Sequence, residues 1–472
     1  MLLTWKKFVV MGAIALTIVP STSGFSLLGP GGAEGIAAKL WQLPADNANW
    51  DIGYALAGDI GAPVAPDEAY RLNIPVLTYG FDEAFLQFFG IDGIHAIDSA
   101  FRILNDLPPV STMSDDLGEF PLSASHINHE AAQLGLLDLK SATLSLLLEE
   151  MGVTDSVRWN YSIRHREPIP GTDFGVYNVI KFNYDPVTIA PSSYVNGTLY
   201  TYHILEIPPP VMYSEAVEDL PASTSQDVNL PVSALSSFQV LSGFYFSSLT
   251  RDDVGALRFL YHPRRVVGET LLPGITQSGG ALTPFLGTNV FTNIVIGGTN
   301  SLGTNGLTAG YRGGINKVRF QRVQYSSLGF IPLTQTYKDR VSFRGEVFEQ
   351  TVQRTVTIPD IIFTVGDLLT TLALRTDTSA WVNNEALNGF TLNGGPGVIT
   401  PPITITYNKQ LPQKINITPS LIFEPFITDP NARAAGLLSP TWATFDGTTN
   451  PPIIYPQYTI DTIRNLARGA GL

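Results

Sequence analysis

Not one cysteine occurs in the 472 residues, and that absence constrains the fold before any other feature does. Disulfide scaffolds, Cys-ligated zinc and thiol catalysis are excluded, so stability has to come from buried apolar surface. The chain has the material: 44% of its residues are hydrophobic, and its length suits two to four domains of roughly 150 residues each. A formal net charge of −13 excludes a general nucleic-acid binder, which needs a basic stripe.

The first residues read as an export signal. Lys6 and Lys7 precede a stretch from Phe8 to Pro20 that is apolar but for Thr17, and Ser21-Thr22-Ser23-Gly24 follows. Basic, apolar, then small is the secretory order, and the run is shorter than the roughly 20 residues a membrane span needs. The expectation is a signal peptide over 1–24, cut between about residues 21 and 27. An exported protein follows, extracellular, at the cell surface or periplasmic, with no transmembrane span after cleavage.

Charge divides what remains. Residues 25–270 hold 12 basic and 30 acidic side chains, while 271–472 hold 14 and 11. A helical pattern ends at His262-Pro263, and Gly274 to Gly314 is rich in Gly, Thr, Ser and Asn, as a linker or a loop-rich strand entry is. The expected division is an N-terminal segment over 25–69, an α+β domain over 70–262, a Gly-rich linker or strand entry over 263–314 and a β-rich domain over 315–472.

Local patterns predict the elements. Ile74 to Phe81 reads as a strand, and Asp92 opens a helix carrying Ile94, Ile97, Phe101 and Leu104 that Pro108-Pro109 stops. Asp138 opens a helix with Ala142, Leu146 and Met151 on its face, closed by Gly152. Asn196-Gly197 is the pair a two-residue hairpin prefers, because both positions take positive φ. Thr250, with Asp253 three residues on, opens a helix that buries Val254, Leu257 and Tyr261. Beyond residue 315, Val352, Val356 and Ile358 alternate with polar residues, as do Ile403, Ile405 and Tyr407, and the turn-rich spacing predicts a sandwich rather than a parallel sheet.

One stretch concentrates ionisable chemistry: His126-Ile127-Asn128-His129-Glu130-Ala131-Ala132-Gln133-Leu134-Gly135. A zinc helix carries two imidazoles at i and i+4, with a Glu after the first to take a proton from zinc-bound water. His129 and Glu130 fit that pattern, but Gln133 stands at the second ligand position, and a neutral amide is a poor zinc ligand beside imidazole. Asp115, Asp116 and Glu119 read as a solvated loop, since no Asp-x-Asp-x-Asp-Gly frame accompanies them. No Gly-x-Ser-x-Gly turn supports a serine hydrolase.

Together with Val211-Met212-Tyr213 and the segment Leu249 to Tyr261, the opening strand and helix of residues 74–107 make the region 70–262 resemble matrixin-type metzincin zinc metalloproteases. The resemblance implies a twisted sheet over long helices, a turn at Met212 and a zinc cleft. It leaves the C-terminal β unit without a counterpart. The family's long motif would continue to a third histidine where this chain has Leu139, and its glycine would fall one residue after Gly135. Metal candidates are therefore His129, with His126 or His203 as substitutes, and Glu130 is catalytic only in an active enzyme.

The expected fold class is an α+β metzincin-like front domain followed by a predominantly β, sandwich-like C-terminal unit. The expected function is that of an exported protein whose metalloprotease-like domain has lost its zinc site and works in binding or structure, its partner an extracellular protein or a surface glycan. Two alternatives remain: a secreted zinc endopeptidase with a rearranged ligand set, and an exported structural or adhesive β protein unrelated to proteases.

Overall fold

The computed structural model describes residues 23–29, parts of 51–72, 74–210, 212–219, 234–237, 241–265, 309–326, most of 329–365 and 441–455, with short strands at 267–271, 374–376, 381–382, 398–400, 405–406, 409–410 and 413–417. The expected signal peptide before residue 23, Val211 of the expected turn at Met212, and positions 272–308 of the expected Gly-rich linker lie outside the described residues. The protein is mixed α+β, with many strands and few helices.

Four helices organise the described residues: α1 (Glu83–Asp106), α2 (His129–Gln133), α3 (Leu139–Glu150) and α4 (Arg251–Tyr261). Helix α1 starts nine residues before the expected Asp92. Asp82 caps it by accepting from the Phe85 amide at 3.0 Å. The helix is interrupted at Gly90, whose φ of 61° and ψ of −158° suit only glycine. The second segment begins beside Asp92 and buries Ile97, Phe101 and Leu104, so the predicted face is right and the predicted start belongs to the restart after the bend. Asp138 caps α3 by accepting from the Ser141 amide at 2.9 Å, and Gly152, at φ 95°, follows its C-terminus. Asn196 and Gly197 take φ of 44° and 84° between the strands Tyr194–Val195 and Thr198–Leu199, as the hairpin pair requires.

The central sheet is assembled from distant parts of the chain. The strand Val76–Phe81 lies between Arg319–Arg322 and Ile361–Val365, parallel to both; Gln413–Ile417 follows in parallel, and Leu374–Thr376 closes the sheet antiparallel. This departs from the sandwich expected for residues 315–472. The reason is local: Ile361-Ile362-Phe363 is a continuous apolar run, suited to a parallel strand covered on both faces, and does not alternate. The long alternating strands Leu333–Phe343 and Glu346–Val356 instead pair as an antiparallel hairpin within a six-stranded sheet. The strand Thr441–Thr444 runs parallel to Leu136–Asp138.

Packing follows this pairing. Phe101 of α1 stacks on Tyr79 at 3.7 Å and meets Phe320 at 5.0 Å, while Phe81 meets Phe363 at 5.5 Å. Asp360 accepts from both the amide (2.8 Å) and the hydroxyl (2.9 Å) of Thr78. One contiguous core therefore runs from Phe25 to Tyr455, across the position where charge changes sign.

Candidate functional site

His126 lies on the strand Ser125–Ile127, paired with Phe244–Phe246. Its exposed ring stacks on Tyr245 at 5.4 Å, and its Nε2 lies 3.1 Å from the Ser247 hydroxyl. Asn128 caps α2, accepting from the Ala131 amide at 3.0 Å and donating to the Asp446 carbonyl at 2.8 Å. His129 is the first residue of α2 and is exposed, and Glu130 is half-buried. Only Ala131 of this helix is fully buried; it packs with Leu136, Ala443, Phe445 and Ile454.

The helix is too short to be a zinc helix. It ends at Gln133, and Gly135, at φ 67°, turns the chain into the strand Leu136–Asp138. Leu139, in the third ligand position, is a buried apolar side chain at the start of α3. His203 sits on another sheet, opposite Val217, with its Nδ1 2.7 Å from the Asp219 carboxylate. Among the described residues no three His, Asp or Glu side chains gather closely enough to hold a metal. Catalytic zinc takes three protein ligands and an open position. The donor set named from the sequence does not fit that requirement.

Stronger electrostatics stand at the first turn of α4. Asp253 accepts from the Thr250 amide (3.0 Å) and hydroxyl (2.5 Å), completing the expected box, and also from the amides of Leu235 (3.0 Å) and Ser236 (2.9 Å). Asp252, 1% exposed, accepts from the amides of Gly24 (2.8 Å) and Asn196 (2.5 Å). Asn196 returns the contact: its side-chain oxygen accepts from the Asp252 amide at 3.1 Å, and its side-chain nitrogen donates to Thr250 Oγ at 2.9 Å. Burial, reinforced by the neighbouring charge of Asp253, pushes the Asp252 carboxyl up to about 7. The sequence signalled the cap but not this second acid, which resembles any carboxylate complementing a helix N-terminus.

A second acidic cluster is formed by Glu218 and Asp155. Burial pushes Glu218, on the strand Tyr213–Asp219, up to about 9, with the Asp155 charge adding to the rise and Arg158 opposing it. Asp155 is itself raised by burial, although it accepts from the Val157 amide at 2.9 Å and the Arg158 amide at 3.0 Å. Tyr200 is pushed up to about 12, first by burial and then by the two carboxylates.

A cavity of about 640 Å³ opens beyond the carboxyl ends of Val76–Phe81 and Arg319–Arg322. Leu86, Ile91 and Ile94 of α1 form one wall around the Gly90 bend, and Tyr325 and Ile331 form the other. Ile91 is 68% and Ile331 83% exposed, so the mouth is apolar. His95 and Arg322 are among its polar groups, and Asp98 holds the guanidinium at 2.6 Å. The crevice beyond the carboxyl ends of parallel strands is the usual ligand position in open α/β sheets. Comparison of the chain with protein-family models, with curated proteins and with solved structures gives no match.

Proposed function

We propose that this is an exported protein that works by binding, its front α+β unit built on a metalloprotease-like plan without a working zinc centre. The observation that carries the reading is the early end of α2 at Gln133. It leaves His129 exposed at a helix start, while His203 is engaged by Asp219 on a different sheet. A zinc held by one imidazole would not lower the pKa of its water toward ~7, and Glu130 would have no activated water to deprotonate. The apolar cavity under α1 is the binding site this reading favours. Its mouth, with Leu86, Ile91 and Ile331, suits an apolar group of an extracellular protein, while His95, Arg322 and Gln324 offer polar partners beside it.

The test incubates the full chain and a Glu130→Gln variant with zinc and an unfolded protein substrate. No zinc-dependent cleavage is expected from either. Cleavage by the parent that chelator and Glu130→Gln both abolish would overturn the reading.

A further inference from the structure

Asp252 is a buried carboxylate that forms no ion pair among the described residues. Its Oδ2 is held by two backbone amides, the Ser23 hydroxyl is a further neutral hydrogen-bond partner of the carboxyl, and the neighbouring charge acting on it is that of another acid, Asp253. A deeply buried carboxylate is costly unless a positive charge or further donors face it. One of its two amide partners is the N–H of Gly24, at 2.8 Å.

The chain around Gly24 leaves no freedom in where that nitrogen sits. Gly24 is buried, and the residues after it enter the core at once: Phe25 is 1%, Leu27 0% and Leu28 1% exposed. Their strand pairs with Asn183–Tyr184, Val153–Thr154 and Ala62–Pro63. A Cβ on Gly24 would lie 2.4 Å from Asn183 Nδ2 and 2.5 Å from the Tyr194 carbonyl, so only glycine fits. In the sequence, Ser21 and Ser23 are the small residues at the third and first positions before Gly24, the spacing a signal peptidase reads.

We infer that signal cleavage falls between Ser23 and Gly24, and that the new α-ammonium of Gly24 forms a buried ion pair with Asp252 that locks the mature fold. The inference rests on the export reading. In the cleavage, water adds across the Ser23–Gly24 amide under the action of a signal-type endopeptidase: the C–N bond breaks, Ser23 leaves as a carboxylate, and Gly24 nitrogen gains protons to become an ammonium. The nitrogen already lies at hydrogen-bond distance from Oδ2, and an ammonium adds donors where one amide hydrogen stood. The pairing supplies the cation that the buried acid lacks. In the uncleaved chain the same carboxyl faces only neutral donors, two backbone amides and the Ser23 hydroxyl, and cleavage exchanges that hydroxyl for a charge.

The test secretes the full chain from a bacterial host and reads the intact mass of the product. It then compares the melting of that mature chain with a form retaining Ser23 at its N-terminus, each with and without Asp252→Asn. The expected product starts at Gly24. Retaining Ser23 and substituting Asp252 should each lower the melting temperature by roughly 5 °C, and the two together should cost no more than one alone. An exported product starting at another residue would overturn the inference and leave export standing, whereas a product still starting at Met1 would overturn both. Equal melting of the Gly24 and Ser23 forms would overturn the ion pair, and that comparison decides the matter if Asp252→Asn does not fold.

Discussion

Helices α2 and α4 begin alike and end in different roles. Each opens on a capping residue, Asn128 or Thr250, and each carries acid in its first turn: Glu130 in α2, Asp252 and Asp253 in α4. In the sequence α2 holds the candidate chemistry and α4 is scaffold. In the fold, α2 is a five-residue helix with its histidine in solvent, whereas the acids of α4 are 1% and 0% exposed and gather backbone amides from three other segments, at Gly24, Asn196 and Leu235-Ser236. Burial, not residue type, decides which acid has electrostatic weight: the same carboxylate is inexpensive beside water and demands partners in the core.

Removing Asp253 is the severest way to break this comparison. Asp253→Ala leaves the amides of Thr250, Leu235 and Ser236 and the Thr250 hydroxyl without their acceptor, and should cost about 3 to 5 kcal/mol in a denaturant melt. A loss below about 1 kcal/mol would show that the first turn of α4 is no more critical than that of α2.

Intermediate in size is a pH effect at Glu218, which sharpens the same point outside a helix. Its folded carboxyl is raised from the model-compound range to about 9, so the fold favours the protonated form. Its contribution to stability is fully present below the unfolded value near 4.5 and is lost as pH rises toward 9. Glu218→Gln, which stays neutral, should flatten the fall in melting temperature between those limits. An unchanged slope in the variant would assign the fall to other groups, with Asp155 and Tyr200 the next to substitute.

The smallest effect belongs to α2. Glu130→Gln should change stability by less than about 0.5 kcal/mol, as a substitution at the edge of a short surface helix does. A loss of several times that size would mean that α2, like α4, anchors distant chain.

How much of this was legible in the sequence follows from the range over which each signal acts. Thr250 with Asp253, Asp138 before α3, and Asn196-Gly197 satisfy their own neighbours within three residues, so local chemistry announces them. The Gly90 bend was not legible, because the apolar periodicity and the cap signal of Asp92 mark the restart of the helix, and the segment from Glu83 that precedes Gly90 gave no separate signal. The end of α2 is half visible: Gly135 stands one residue early for the long zinc motif, yet its left-handed φ, which stops the helix, is a property of the folded backbone. The docking of Gly24 and Asn196 on Asp252 was not legible, since 228 residues separate the first pair and 56 the second, and no local pattern encodes such partners. The parallel strands Arg319–Arg322 and Ile361–Val365 escaped for the same reason: alternation and turn residues report a strand's faces and not the strand beside it.

That last pairing sets the timetable of folding. Val76–Phe81 is made early, but its partners on both sides arrive only when Phe320 and Ile361 have been synthesised; Thr78 waits for Asp360, 282 positions later. Until then two bare edges rich in aromatic residues face the surroundings, ready to join any passing strand. Contacts this remote in sequence slow the search for the native state and prolong that exposure. A polypeptide stopped before residue 300 would therefore hold a helix-forming half without its sheet and should aggregate where the full chain does not.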